Sequence, residues 1–208
     1  MLYDKDIREP LFDFLEEAYG KLRIIEEKQV GKSRADIVMV LPRLLTGIEI
    51  KSDADSYVRL SRQVKDYDRF FDRNMVVAGS SHAAHVREHV PGWWGIITVE
   101  QNDREIDFYV LRQPQENPMM NWKRKLSLLW RPELAHIQEL TAMPRYKEKS
   151  KAFVIEKILA KVPGEQLSVL VSEELFERDY TRIEEVIRAY KIQNRPELKG
   201  RTGKRRRP

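Results

Sequence analysis

The sequence predicts an α/β fold: one leading helix, a set of short strands linked in part by a helical crossover, and a second half that is helical throughout. Three observations predict it. Apolar residues recur at helical spacing over residues 4–19. Residues 35–41 and 47–51 are short apolar runs rich in β-branched side chains. Residues 75–79 (Met-Val-Val-Ala-Gly) are apolar without alternation, the pattern of a strand buried on both faces.

Ile7, Leu11, Phe12, Phe14, Leu15 and Ala18 form the stripe of the first helix, and Gly20 ends it. An extended segment begins at Leu22. Gly31-Lys32-Ser33 is a turn, residues 35–41 a strand, 42–46 a connection and 47–51 a further strand, so the three runs suit an antiparallel meander. Asp55 or Ser56 caps the next helix, which runs to about residue 71 with Val58, Leu60, Val64, Tyr67, Phe70 and Phe71 as its stripe. After the buried strand at 75–79, Ser80 and Ser81 open a helix ending near Pro91. Residues 93–99 and 106–111 read as two strands joined by a turn at 101–104. The predicted order is α-β-β-β-α-β-α-β-β. Near Gln113 the composition shifts, 115–118 reads as a linker, and helices follow at about 121–130, 132–141, 150–161, 165–178 and 181–191. Thr181 to Glu184 has the capping-box pattern of the last one. The expected division is a core at 1–113, a helical region at 114–192 and a basic tail at 193–208.

Composition narrows the function. Of 208 residues, 41% are hydrophobic, enough for a core, and 34% are charged. No run approaches the ~20 apolar residues of a membrane span, and the first residues lack the apolar centre of a signal peptide. With no cysteine, disulfides and thiolate metal sites are excluded, and a reducing cytoplasm fits. Net charge is +5, and residues 195–208 hold seven basic residues against one acid. Such a tail is either simply solvated or drawn to phosphate backbone by counterion release.

The chemistry concentrates at Asp36, Glu49 and Lys51. Glu49 and Lys51 are two apart on a strand and leave the same face, while Ile48 and Ile50 leave the other. In an antiparallel pair Asp36 can come beside Glu49, and register decides whether it does. Two carboxylates suit Mg²⁺, which binds through one or two of them plus substrate phosphate. A nearby lysine can orient the attacking water or neutralise charge on the phosphate. Taken alone, Glu49-Ile50-Lys51 is also the pattern of an edge-strand salt bridge. Gln63 and Tyr67, four apart and so on one helix face, follow by about one crossover and change that balance.

Asp36, Glu49-Ile50-Lys51 and Gln63-x-x-x-Tyr67 together resemble the PD-(D/E)xK nuclease superfamily and the glutamine-tyrosine motif of its RecB-like branch. More narrowly, the chain resembles the small bacterial sce7726-type proteins. The residues that carry this are Asp6-Ile7-Arg8-Glu9, Glu49 to Asp55, Arg59-Leu60, Gln63-Val64 with Tyr67, Pro91 to Ile96 and Leu129 to Leu134. The resemblance implies a restriction-endonuclease-like αβββαβ core and a phosphodiesterase dependent on Mg²⁺ or Mn²⁺. It implies that Asp36, Glu49 and the Ile50 carbonyl ligate the metal, that Lys51 is the catalytic lysine, and that Gln63 and Tyr67 position it or the substrate. A first-helix glutamate approaches the metal in related nucleases; Glu9 is the candidate, with Glu16 behind it. Ala35 stands where the family name has proline.

Other signals have two readings each. Glu9 also suits a helix N-terminus. Arg8, Arg59, Lys123 and Arg124 are candidate nucleic-acid contacts; Arg62 reads as a solvated charge. Asp53 and Asp55 either extend the metal site or cap a helix. His82, His85 and His89 share a helix face but lack the further ligand of a zinc site. Trp93 and Trp94 either stack on bases or pack in the core. Residues 145–191 have the cadence of a helix–turn–helix, with a packing or dimerisation element as the alternative. The leading function is a metal-dependent nuclease acting on DNA, in repair, defence or a mobile element. The alternatives are a non-catalytic nucleic-acid- or partner-binding protein of the same fold, and an RNA-processing nuclease.

Overall fold

In the computed structural model, which describes residues 2–102 and 105–179 together with Glu185, Ala189 and Ile192, six strands form one sheet in sequence order. They are β1 (Arg23–Val30), β2 (Ser33–Leu41), β3 (Leu44–Lys51), β4 (Arg73–Gly79), β5 (Gly95–Asn102) and β6 (Glu105–Arg112). Pairs β1–β2, β2–β3 and β5–β6 are antiparallel; β3–β4 and β4–β5 are parallel. Helix α1 (Asp4–Tyr19) precedes the sheet and α2 (Leu60–Phe70) forms the crossover from β3 to β4. Two single turns, α3 (Ser80–Ala83) and α4 (Val86–His89), link β4 to β5. Then come α5 (Trp122–Leu126), α6 (Arg131–Leu140), α7 (Lys151–Lys161) and α8 (Gly164–Phe176). The molecule is a mixed α/β fold, with the succession α-β-β-β-α-β along the chain and the α2 crossover as expected.

Strand alternation sorts the core into two layers. Ile37, Met39, Leu41, Ile48 and Ile50 pack with Ile7, Leu11 and Leu15 of α1. Val38, Val40 and Leu45 face the other way, against Tyr67 and Phe71, and that cluster continues through Leu126, Leu134, Val154, Ile158 and Val171 of the later helices. At β3 both faces of the sheet are covered, so Glu49 and Lys51 on one face are as buried as Ile48 and Ile50 on the other.

The structure corrects three boundaries. Residues 42–46 are not a loop: Leu41 pairs with Leu44, and only Pro42 and Arg43 turn the chain, Arg43 at φ 68°. The single helix expected from Ser80 to Pro91 is the pair of turns α3 and α4. The helix expected at 121–130 stops after five residues, where the Ser127 hydroxyl donates to the Arg124 carbonyl (2.6 Å) and Trp130 adopts the extended conformation that opens α6. The expected helix at 181–191 with its capping box, the tail at 193–208 and the centre of the 101–104 turn lie outside the described residues. Among those described, no helix is long and apolar enough to cross a membrane.

The stretch expected as a linker is pinned to the end of α2. The Asn117 amide donates to the Asp68 and Phe71 carbonyls (2.8 and 2.7 Å), taking up acceptors that a helix end leaves without partners. Beside it, Lys125 is wholly buried and its ammonium meets both oxygens of Asp72 (2.8 and 2.7 Å), which also accepts from the Leu45 N–H (2.7 Å). Burial pulls the Lys125 pKa down, opposed by the charge of Asp72. This pair fastens α5 to the sheet. Replacing Asp72 with asparagine leaves a buried ammonium without its counter-charge, and urea denaturation is expected to register a loss of about 3 kcal/mol.

Candidate active site

The β2–β3 register pairs Val38 with Gly47 and ends at Ile37 with Ile48; just beyond it Asp36 Oδ2 accepts from the Ile50 N–H, which sets the Asp36 carboxyl near Glu49. Glu49 is 1% exposed and Lys51 2%. Burying these charges is costly unless their hydrogen bonds are made, and α2 makes them. Glu49 Oε1 accepts from Lys51 Nζ (2.6 Å) and from the Gln63 amide; Gln63 Oε1 in turn accepts from Lys51 Nζ (3.2 Å). The Tyr67 hydroxyl donates to Glu49 Oε2 (2.6 Å) and accepts from the Asp36 N–H (3.1 Å), joining the two carboxylate-bearing strands. Burial, then the charges of Glu49 and Asp36, push the Tyr67 pKa well up, so it stays a donor.

Tyr67 reaches this far because β3 has no side chain in its way. A Cβ at Gly47 would fall 2.6 Å from Phe71 Cε2 and 2.8 Å from Tyr67 Cδ1. On the other side of Asp36 the β1–β2 ladder pairs Glu26 with Ile37 and Lys28 with Ala35, leaving Glu27 unpaired opposite Asp36 at φ 53°. A non-glycine residue in that region costs on the order of 1–3 kcal/mol, and such strain gathers at functional sites.

The Asp36 carboxyl is itself held, its Oδ2 accepting from the Ile50 N–H (2.8 Å). Burial, and after it the charge of Glu49, push its pKa up to about 7, against that hydrogen bond and Lys51. Asp36, Glu49, Ile50, Lys51 and Gln63 line a cleft of about 510 Å³. Its walls carry Lys32 and Arg34 from the β1–β2 hairpin, Arg59 and Arg62 at the start of α2, and Asp4 and Arg8 from α1.

The donor set fits a small hard cation. An ionised carboxylate offers about four lone-pair positions. After the bonds above, Asp36 Oδ1 and one position on each of Asp36 Oδ2 and Glu49 Oε2 have no hydrogen-bond donor among the described residues, and both residues line the cleft. Among the described residues no three His, Asp or Glu side chains gather as a full cage. A Mg²⁺-type ion does not need one, since it keeps waters and takes substrate oxygens.

The other candidates sort by position. Arg59 lines the cleft, and so does Arg62, which had read as a solvated charge. Glu9 does not: it is exposed, about 100° around α1 from Arg8. Asp4 holds that place, one turn before Arg8, and was missed; its i,i+4 spacing to Arg8 was the available signal. Glu16 is exposed as well. Lys123 pairs with Glu156 (2.9 Å) and Arg124 is exposed, both away from the cleft, because α5 packs on α7. Asp55 accepts from the Ser52 N–H and hydroxyl (3.0 and 2.7 Å) and also lines the cleft, while Asp53 ties Leu2 to Ser81. His82 and His89 pack on the Tyr57 ring (4.8 and 4.0 Å between ring centres). Trp94 is fully buried and, with Trp93, donates to Asp68 (2.8 and 3.2 Å), so both serve packing.

Over residues 1–195 the chain matches the family model described as Bacteriophage P4 protein cII. A solved structure of Pyrococcus furiosus SfsA in complex with Ca²⁺ is similar at 16% identity and a TM-score of 0.34. The match covers 53% of this chain and 62% of that one, less than two thirds of its length, and a likeness so distant carries no argument. No curated protein matches.

Two outcomes follow from the geometry. Gly47→Ala should push Tyr67 and Phe71 off β3 and lower stability by about 1–3 kcal/mol in a denaturant titration. Because folding raises the Asp36 pKa from about 4 to about 7, its stabilising share is present in acid and lost as pH rises through that window. Asp36→Asn keeps the neutral form throughout. Without divalent cation its Tm should gain on that of the wild type between about pH 4 and about pH 7.

Proposed function

We propose, for a chain that belongs to the bacteriophage P4 protein cII family, the function of a divalent-metal-dependent nuclease of PD-(D/E)xK type on a restriction-endonuclease-like core, acting on DNA. The observation that carries the reading is the meeting of Asp36, Glu49 and Lys51 on one cleft floor, with Gln63 and Tyr67 holding Glu49 from the crossover helix. The E-x-K pair is no surface salt bridge: it is almost wholly buried and carries both members of the Gln63–Tyr67 pair. A phage-derived family name agrees with a setting in a mobile element or in defence, and the cytoplasm is the matching compartment.

In this reading Asp36, Glu49 and the Ile50 carbonyl would hold Mg²⁺ or Mn²⁺. The bound ion supplies Lewis acidity and lowers the pKa of water. Lys51, fixed between Glu49 and Gln63, faces the reacting phosphate with a point charge that favours the more anionic transition state. Tyr67 keeps the two carboxylate-bearing strands in step. Lys32, Arg59 and Arg62 line the cleft without an ion-pair partner among the described residues, and they grip flanking phosphates.

The test is cleavage of labelled single-stranded DNA, double-stranded DNA and RNA with Mg²⁺ or Mn²⁺. Asp36→Ala and Lys51→Ala are each expected to slow the wild-type rate by at least about 10²-fold. Binding to DNA with no cleavage above either variant would instead establish a nucleic-acid-binding protein. Preferential cleavage of RNA would move the substrate class.

A further inference from the structure

Arg8 was expected among the nucleic-acid contacts, yet its guanidinium is already engaged. Nε donates to Asp4 (2.8 Å), Nη1 to Glu26 (3.1 Å) and to the Asp36 carbonyl (3.4 Å), and Nη2 to Glu27 (2.8 Å). Nη2 also stands 4.0 Å from Asp36 Oδ1. A guanidinium has five N–H donors, so little is left for a phosphate, and the side chain is only 15% exposed.

The main chain at Asp36 explains what this clamp is for. Glu27 interrupts the β1–β2 ladder directly opposite Asp36 without shifting its register, so the Asp36 main chain has no ladder partner on β1. Two side chains take up the backbone groups of Asp36 instead: Tyr67 from one side of the sheet accepts from its N–H, and Arg8 from the other donates to its carbonyl. We propose that Arg8 is a positioning residue that bridges Glu27 and the Asp36 backbone across the interrupted ladder and so holds the Asp36 carboxylate near Glu49, without touching the phosphodiester. The proposal rests on the nuclease reading of this cleft. It requires the planar fork of arginine, which the point charge of lysine does not reproduce.

The test uses the full chain with Arg8→Lys and Arg8→Gln, and Asp36→Asn as the control. Mn²⁺ affinity by calorimetry should fall about 10–100-fold in both Arg8 variants. Exchange of the Asp36 amide, followed by NMR without metal, should quicken at least about tenfold. The salt dependence of DNA binding in Ca²⁺ should keep its slope in Arg8→Gln. Should Arg8→Gln fail to fold, Glu27→Gln, which removes one anchor of the clamp, should lower Mn²⁺ affinity in the same direction. Wild-type Mn²⁺ affinity and amide exchange in Arg8→Lys, or a slope reduced by about one in Arg8→Gln, overturns the proposal. Equal Mn²⁺ affinity in wild type and Asp36→Asn sinks the nuclease reading instead, and the amide exchange still decides whether Arg8 holds Asp36.

Discussion

The cleft depends on one buried carboxylate. Glu49 is shielded from water and would be ruinous to the fold without partners, since a buried charge is tolerated only when its hydrogen bonds are made. Lys51 comes from the same strand, but Gln63 and Tyr67 come from α2, so the helix must sit where its side chains reach the strand face. That requirement sets the seat of α2. Its far end is fastened by Asp68 to Trp93 and Trp94, by Asp72 to Lys125, and by Asn117 to its last carbonyls. The later helices thus brace the element that holds Glu49.

Two local departures from ordinary strand chemistry make room for this arrangement. Gly47 gives up a side chain in the middle of β3 so that Tyr67 and Phe71 can lie on the backbone. Glu27 takes a left-handed conformation in β1, which frees the Asp36 main chain for Tyr67 and Arg8. Each is unfavourable as local structure, and each borders the same pair of carboxylates. Rules of local propensity are expected to fail at functional sites, where other contacts hold the strained conformation.

Much of the fold was legible because its signals are periodic. The α1 stripe, the unbroken apolar run of β4 and the helical spacing before it gave the element order. Boundaries were less so. The β2–β3 hairpin is tighter than its five-residue connection suggested, because Leu44 and Leu45 read equally well as loop or strand until they pair with Leu41 and Val40. The meeting of the five residues in one cluster was legible, since their types and spacings carry chemistry. Its acidic and basic surround was not. Asp4 and Glu9 are both acids early in α1, and only the helix's rotation against the sheet puts one in the cleft and the other in solvent. Lys123 and Arg124 read as contacts for nucleic acid, and the packing of α5 on α7 instead paired Lys123 with Glu156 and turned the neighbouring Lys125 inward.

Taken by itself, the sequence determined which groups are available: two carboxylates and a lysine on strands, and a glutamine and tyrosine one turn apart on a helix. Covalent spacing and strand alternation suffice for that, because Glu49 and Lys51 must share a face whatever else happens. The tertiary structure alone decided that the two are buried there, that Asp36 stands near Glu49, and that Arg8 is spent on acids. Those outcomes hang on register and on how the helices seat against the sheet, which are set by long-range contacts that no local pattern encodes.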